Sequence, residues 1–175
     1  SAQAQQPPAP KRAEAVAGGA AQDRATNAKR PHVVFVIGEN EYQTWETLPE
    51  FANKELAERG FRSSFVTAPP KGGNDFENIE AIKIADLLFV STRRRTPQKA
   101  MMDLIRQHLD AGKPLVAIRT ASHGFDAKPP DDRYAAWPAF DRDVLGGHYL
   151  NHYGNNLLPV LRIPATSAQH PILSG

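Results

Sequence analysis

The stretch HVVFVIG, residues 32–38, places five large apolar side chains in a row and ends on a glycine. A strand with one solvent-exposed face carries a polar residue at every second position. A continuous apolar run is instead typical of a strand that is covered on both faces, as in parallel sheets. The sequence therefore predicts a buried parallel strand here, where the folded region begins.

Further strands are predicted downstream over residues 61–66, 86–90, 115–118 and 157–163. The first four strands are separated by segments with a helical pattern, so that strand and helix alternate. Such alternation is typical of a parallel sheet whose crossovers are right-handed. The predicted fold class is α/β, a three-layer, doubly wound, mostly parallel sheet of flavodoxin-like type.

Helix-start signals lie between the predicted strands. Thr47 and Glu50 have capping-box spacing and predict the start of the first helix. A short helix is predicted over residues 75–84, and Thr96-Pro97 predicts the start of a longer one. The buried stripe of that longer helix is predicted to contain Met101, Met102, Leu104, Ile105 and Leu109.

The composition excludes several classes of function. The 175 residues carry a formal net charge of +2 without a sustained basic stripe, which argues against a nucleic-acid partner. The chain has no cysteine, which excludes disulfides, thiolate metal sites and a cysteine nucleophile. No apolar run approaches the ~20 residues of a membrane-spanning helix, so no membrane span is expected.

Residues 1–31 are rich in Ala, Gln, Pro and Gly and contain almost no large apolar side chains. Such a segment buries too little surface to offset its chain entropy, so a disordered leader is predicted. The opening SAQAQQPPAP resembles what remains after signal-peptide cleavage at a small-residue site, which predicts a periplasmic or secreted protein. An ordinary disordered tail on a cytoplasmic protein is the alternative.

Three polar loops follow the carboxyl ends of predicted strands, where open α/β sheets bind their ligands. They span residues 38–42, 91–95 and 119–125. With flavodoxin-like order, Glu39 and Glu41 are expected to face the arginines across a crevice and to act as acid or base. The ligand-binding set predicted from these loops is Tyr42, Arg93, Arg94, Arg95, Arg119 and Ser122. A structural salt-bridge network at the strand ends is the alternative.

The turn Thr120-Ala121-Ser122-His123-Gly124 has two functional interpretations. In one, Ser122 is a nucleophile on a loose G-x-S-x-G elbow, although a nucleophilic serine needs a separate histidine base. In the other, the turn forms part of a polar pocket in which His123 binds the ligand or takes part in catalysis. A purely structural Ser-His pair is the remaining alternative.

His148 and His152 are four residues apart, a spacing that suits a divalent metal such as zinc when it falls on a helix. The glycines around this pair argue against a regular helix. The two histidines therefore either bind a metal from a loop or contact a polar ligand. His123, His170 or a carboxylate would be the third metal ligand. The cofactor is otherwise unknown.

Five segments in order resemble a ThuA-like domain, the trehalose-utilisation type. They are VVFVIGENEYQTWETLPEFANKEL (33–56), STRRRTP (91–97), AIRTASHGF (117–125), WPAFDRDVLGGHYLNHYGN (137–155) and HPIL (170–173). The resemblance implies a class I glutamine amidotransferase-like fold over residues 32–175. Members of this family often occur in bacterial sugar metabolism, and some are exported.

The resemblance also bears on the reaction. In true glutamine amidotransferases a cysteine follows the fourth strand, and its place here is taken by Arg119, Thr120 or Ala121. We therefore expect no glutaminase activity. ThuA-like domains usually continue beyond the HPI segment, which implies that a C-terminal portion is missing. A sheet left incomplete in this way would expose a strand edge and favour association into homo-oligomers.

Three functions remain open at this stage. The first is an enzyme that hydrolyses or isomerises a small-molecule sugar or sugar derivative. The second is a non-catalytic carbohydrate-binding accessory domain with Trp45, Tyr42 or Tyr149 available for stacking. The third is an anion-binding domain that uses Arg93, Arg94 and Arg95.

Overall fold

The computed structural model describes residues 30–69, 72–154, 157–158 and 160–173. Most of the predicted leader lies outside the described residues, so the disorder and the export of the chain stay predictions. The sheet has four parallel strands in the order β2-β1-β3-β4. They are β1 His32–Gly38, β2 Arg62–Thr67, β3 Leu87–Thr92 and β4 Leu115–Ala117. The predicted α/β fold with flavodoxin-like strand order is confirmed.

Strand order reverses between β1 and β3. The chain leaves β1, forms β2 on one side of it, and returns to form β3 on the other side. In the register of β1 and β3, Val33 lies opposite Leu87 and Gly38 lies opposite Thr92, so the two strands end together. Loops that leave neighbouring carboxyl ends on either side of a reversal diverge and leave a crevice between them.

Strand β1 is the centre of the core, and all seven of its residues are buried. Phe35 on β1 contacts Phe65 on β2 and Phe89 on β3, with ring centroids 5.4 and 5.0 Å apart. These aromatic contacts tie three strands together on one face of the sheet. The apolar run that predicted a doubly covered strand is thus explained by burial on both faces.

Helices cover both faces of the sheet. Helix α1, Thr44–Phe51, continues as a π-helical turn over Ala52–Leu56 and packs on the face that carries Phe35. Helix α2, Lys99–Asp110, and a 3₁₀ helix over Ile79–Ile84 pack on the opposite face. This arrangement gives the three predicted layers.

The capping-box prediction for α1 was wrong. The helix begins at Thr44, three residues before Thr47, because Gln43 takes a left-handed backbone with φ 56°. The backbone N–H of Thr44 donates to the carboxylate of Glu39, so a side chain from the preceding loop satisfies this helix end. Thr47 instead donates its hydroxyl to the Gln43 carbonyl.

The predicted start of α2 was also wrong. The helix begins at Lys99, after Gln98, rather than at Thr96-Pro97. The backbone N–H of Thr96 donates a hydrogen bond to the side chain of Asn74. The side chain of Gln98 forms two hydrogen bonds with the backbone of Phe76. Contacts with the loop before the 3₁₀ helix therefore hold this segment extended.

Two other predicted elements differ from the structure. Within residues 75–84, only Ile79–Ile84 is helical, as a 3₁₀ helix. The strand predicted over residues 157–163 is absent from the described part of that segment, where Leu158 and Leu161 are almost fully exposed. An apolar run with no element to pack against gains nothing from forming a strand, and Pro159 removes one ladder donor from it.

The chain after β4 forms two short helical turns that matter for the site. The first is a 3₁₀ turn over Arg119–His123, and the second is a π-helical turn over Asp141–Leu145. A Cβ on Gly124 would lie 2.2 Å from the hydroxyl oxygen of Thr92, so only glycine lets the first turn approach the end of β3. Among the described helices, none has the length and apolar character needed to cross a bilayer.

Candidate functional site

A cavity of about 540 Å³ lies at the reversal between β1 and β3. Its size falls in the range of small-molecule sites. Its walls come from the three loops that follow β1, β3 and β4, together with the segment after the π-helical turn. The lining residues are Glu41, Tyr42, Arg93, Arg94, Arg119, Thr120, Ser122, His123, Tyr149 and His152.

Eight of the eleven site residues predicted from the sequence line this cavity. They are Glu41, Tyr42, Arg93, Arg94, Arg119, Ser122, His123 and His152. The other three, Glu39, Arg95 and His148, are not lining residues, and each is engaged by protein groups described below. Of the aromatic residues predicted for stacking, Tyr42 and Tyr149 line the cavity, whereas Trp45 packs against the core face that carries Phe35.

Glu39 is buried behind the cavity wall, with 3% of its surface exposed. Its two carboxylate oxygens accept hydrogen bonds from the backbone N–H groups of Glu41, Tyr42 and Thr44 at 2.7 to 2.9 Å. The Thr44 hydroxyl donates a fourth at 2.5 Å. Burial acts to raise the pKa of Glu39, but these hydrogen bonds outweigh it and hold the pKa below its ordinary value. The carboxylate therefore shapes the loop after β1.

Arg95 is also buried. Its guanidinium donates to the carbonyl of Gly38 at 2.6 Å and to that of Gly73 at 3.0 Å. Burial lowers the pKa of Arg95, and the nearby Glu39 carboxylate partly offsets that effect. Arg95 thus joins the end of β1 to the loop that follows β2.

The remaining two arginines of the triple run lie on the cavity wall. Arg93 Nε is 2.8 Å from a carboxylate oxygen of Glu41, which makes an ion pair at the rim. Arg94 is exposed and has a left-handed backbone with φ 51°. Its backbone N–H donates to the carbonyl of His123 at 3.1 Å, which fastens the loop after β3 to the turn after β4.

Arg119 occupies the strained position of the turn after β4. Its φ of 55° is in the left-handed region, at the first residue of the 3₁₀ turn and two residues after the end of the strand. A sharp strand-to-helix turn of this kind carries the nucleophile in α/β hydrolases. Here it presents a guanidinium, which is not a nucleophile, over the ring of Tyr42 at 4.5 Å. Ser122 lies three residues further on, inside the 3₁₀ turn, and does not occupy this position.

His123 is one of two imidazoles that line the cavity among the described residues. Its Nδ1 is 3.2 Å from the hydroxyl of Ser122, and its ring stacks on Tyr149 with centroids 4.4 Å apart. Its Nε2 has no hydrogen-bond partner among the described residues. One ring nitrogen is therefore held by the turn while the other is free to meet a ligand.

The surroundings of this imidazole favour its neutral form. Partial burial lowers the pKa of His123 below its ordinary 6.5, and the positive charges of Arg94 and Arg93 act in the same direction. The carboxylates of Asp126 and Glu41 oppose the shift without reversing it. A neutral imidazole at neutral pH is a competent general base.

A second anchor sits beneath the segment that carries Tyr149. The carboxylate of Asp141, 4% exposed, accepts the backbone N–H of Tyr149 at 2.7 Å and contacts His148 Nδ1 at 3.0 Å. Tyr149 in turn contacts His152 Nδ1 through its hydroxyl at 2.8 Å. The backbone N–H of Tyr149 is the largest cause that lowers the pKa of Asp141. Asp141 therefore fixes one wall of the cavity from behind.

Both ring nitrogens of His148 are used by protein groups. A guanidinium can only donate, so the Arg142 contact at 2.7 Å requires His148 Nε2 to accept. Its Nδ1 must then carry the proton and donate to Asp141. The described residues contain no cluster of three or more His, Asp or Glu side chains arranged to hold a metal ion. Among the residues described, His123 and His152 are the imidazoles that face the cavity, and metal binding stays a prediction.

Three residues of this arrangement were not predicted as site residues. Thr120 lines the cavity and donates its hydroxyl to the Thr92 carbonyl at 3.0 Å. Tyr149 was predicted only as a stacking residue. Its position in the sequence between His148 and His152 was the signal that could have placed it in the site. Asp141 was missed because nothing in the sequence distinguishes a buried anchoring carboxylate from an exposed one.

Compared with family models, with curated proteins and with solved structures, the chain has no significant match in any of the three. The fold and the cavity define an α/β protein with a polar cavity of small-molecule size at its strand reversal. The ThuA-like resemblance stays a prediction, to be judged by chemistry at this site.

Proposed function

We propose that this chain is a ThuA-like enzyme of carbohydrate metabolism that acts on a sugar or sugar derivative. The substrate would bind in the cavity between the loops after β1, β3 and β4, and His123 would serve as the general base. Glu41 would accept a hydrogen bond from a substrate hydroxyl. Glutaminase activity is not part of the proposal, because the chain has no cysteine to serve as its nucleophile.

The observation that supports this proposal best is the environment of His123. The ring is partly buried, has a pKa below its ordinary value, contacts Ser122 through Nδ1, and has no hydrogen-bond partner at Nε2 among the described residues. Those are the properties of a base that takes a proton from a hydroxyl or from a carbon next to a carbonyl. The mixed hydroxyl, carboxylate and guanidinium lining suits a ligand rich in hydroxyl groups.

A non-catalytic carbohydrate- or anion-binding domain is the second candidate. Two arginines on the cavity wall, Arg94 and Arg119, have no carboxylate partner among the described residues. The exposed faces of Tyr42 and His152 also offer contact area without acid–base chemistry. This candidate predicts the same ligand contacts but no turnover.

The test is a proton-exchange and turnover assay in D₂O on ketoses, aldoses and glycosides, followed by NMR. The proposal expects deuterium incorporation next to a carbonyl, or cleavage of a glycoside, at a rate well above the uncatalysed one. His123→Asn keeps a hydrogen-bonding side chain beside Ser122 but removes the base, so the rate should fall by about 10²- to 10⁴-fold.

His170→Asn is the matched control, because His170 is exposed and does not line the cavity. Its rate should equal that of the unmodified chain. Binding of a sugar without exchange or cleavage would favour the accessory-domain candidate. Turnover that survives in His123→Asn would remove His123 from the catalytic role.

A further inference from the structure

The charge of the cavity wall is unbalanced. Three guanidinium groups, those of Arg93, Arg94 and Arg119, line the cavity beside a single carboxylate, Glu41. Arg93 and Glu41 form an ion pair and offset each other. Arg94 and Arg119 form no ion pair with a carboxylate among the described residues, although the carboxylate of Asp126 lies close enough to act on the nearby His123.

Local structure fixes both of these arginines at the cavity. Each is held in the left-handed backbone region, with φ of 51° and 55°, which is costly for a side chain with a Cβ. The loop of Arg94 is fastened to the turn after β4 through the carbonyl of His123. Arg119 lies over the ring of Tyr42, which supports the guanidinium from one side.

The other two arginines that could serve such a role are already engaged. Arg93 forms an ion pair with Glu41. The guanidinium of Arg95 donates hydrogen bonds to the carbonyls of Gly38 and Gly73. An anionic ligand group would therefore meet Arg94 and Arg119. A neutral ligand would leave both of these guanidinium groups without an ion-pair partner in the cavity.

We propose that the sugar bound in this cavity carries an anionic group, a carboxylate or a phosphate, which Arg94 and Arg119 bind. This inference rests on the proposed function and names the substrate class of the same site. Guanidinium groups bind carboxylate and phosphate through paired N–H···O hydrogen bonds, which fixes the orientation of the sugar as well as its charge. The hydroxyl-bearing part of the sugar would then lie toward Ser122, His123 and Tyr149.

The experiment uses matched neutral and anionic probes on the full chain, with affinity measured by titration calorimetry. Glucose and glucuronate differ only at C6, and glucose 6-phosphate and inorganic phosphate separate phosphate recognition from sugar recognition. We expect glucuronate or glucose 6-phosphate to bind at least about tenfold more tightly than glucose, since hydrogen bonds to charged groups are the stronger ones. This preference should shrink as ionic strength rises.

The variants Arg94→Asn and Arg119→Asn remove one charge each. Asparagine tolerates the left-handed backbone that both positions require, so the loops should keep their shape. Each variant should lose most of the anion preference. Arg59→Gln is the control. This substitution removes the same charge from an exposed residue in the segment that follows α1.

The outcomes show which of the two proposals fails. Equal binding of glucose and glucuronate, unchanged by either asparagine variant, would overturn the anionic-substrate inference and leave the sugar site standing. Inorganic phosphate binding as tightly as glucose 6-phosphate, or no binding by any probe, would overturn the sugar site and the inference with it. An anion preference that survives both variants would remove Arg94 and Arg119 from recognition.

Discussion

Glu39 and Glu41 are two residues apart, yet they have opposite environments. Glu39 is buried and its carboxylate accepts four hydrogen bonds from the loop and from the start of α1. Glu41 lies at the rim with nearly half of its side chain exposed and forms one ion pair with Arg93. The first organises the loop, and the second is available to a ligand.

We therefore predict that Glu39→Gln lowers the free energy of unfolding by about 2–4 kcal/mol. A glutamine would place an amide N–H₂ group where one carboxylate oxygen now accepts hydrogen bonds. The N–H and O–H groups that donate to that oxygen would then face another donor and lose their acceptor. Glu41→Gln should cost less than about 1 kcal/mol, because exposed ion pairs contribute little. Urea denaturation of the two variants makes the comparison, and equal losses would contradict it.

Side-chain direction in the loops is the part of the site that the sequence predicted least well. The run Arg93-Arg94-Arg95 contains one ion-paired, one exposed and one buried arginine. The left-handed backbone of Arg94 turns the chain between its neighbours, and no pattern of residue types encodes that turn. The sequence predicted which loops meet, because parallel strand ends lie at one edge, but not which members of each loop face inward.

At the scale of elements, local capping signals were outweighed by tertiary contacts. The helix start predicted at Thr47 shifted to Thr44, since Glu39 supplies the cap from the preceding loop. The start predicted at Thr96 shifted to Lys99, because Asn74 holds Thr96. Cross-chain hydrogen bonds of this kind depend on which loops meet, so a local rule does not contain them.

The segment after the π-helical turn depends on Asp141 for its position. Asp141→Asn keeps the size of the side chain but replaces one accepting oxygen by an amide donor. We expect faster hydrogen exchange at the Tyr149 amide and weaker stacking of Tyr149 on His123. Exchange measured by NMR at single residues would show this effect.

Asp143→Asn is the matched control for that variant. Asp143 belongs to the same turn but contacts Trp137 on the outside, and it does not line the main cavity. Exchange at Tyr149 should be unchanged in this control. Equal exchange in the two variants would show that Asp141 does not position the wall of the cavity.

At the scale of the whole molecule, the regular alternation of strand and helix made the fold predictable. The apolar run in β1 required a strand covered on both faces, and layers on both sides of the sheet followed from it. The location of the site also followed, since the strand reversal fixes where loops diverge. The strand predicted over residues 157–163 was wrong, because the apolar side chains there have no described element to pack against.

Three histidines couple the stability of the whole molecule to pH. Burial is the largest cause that lowers the pKa of His32, His108 and His123 below the ordinary 6.5. For His32, the positive charge of Arg62 adds to the shift and Asp86 opposes it. The unfolded chain therefore binds more protons than the folded one as the pH falls through 6.5 toward the folded-state values.

The free energy of unfolding should consequently fall as the pH is lowered from about 7.5 to about 5.5, by at most about 1.4 kcal/mol per pH unit for each histidine. His32→Gln and His108→Gln remove one titrating ring each and should flatten that slope, whatever they do to the stability at pH 7.5 itself. Exposed His170, changed to Gln, should leave the slope as it is. Urea denaturation across this interval measures all four slopes. A slope unchanged by the His32 and His108 variants would mean that burial of these rings does not set the pH dependence, because the proton uptake on unfolding would then have to come from other groups.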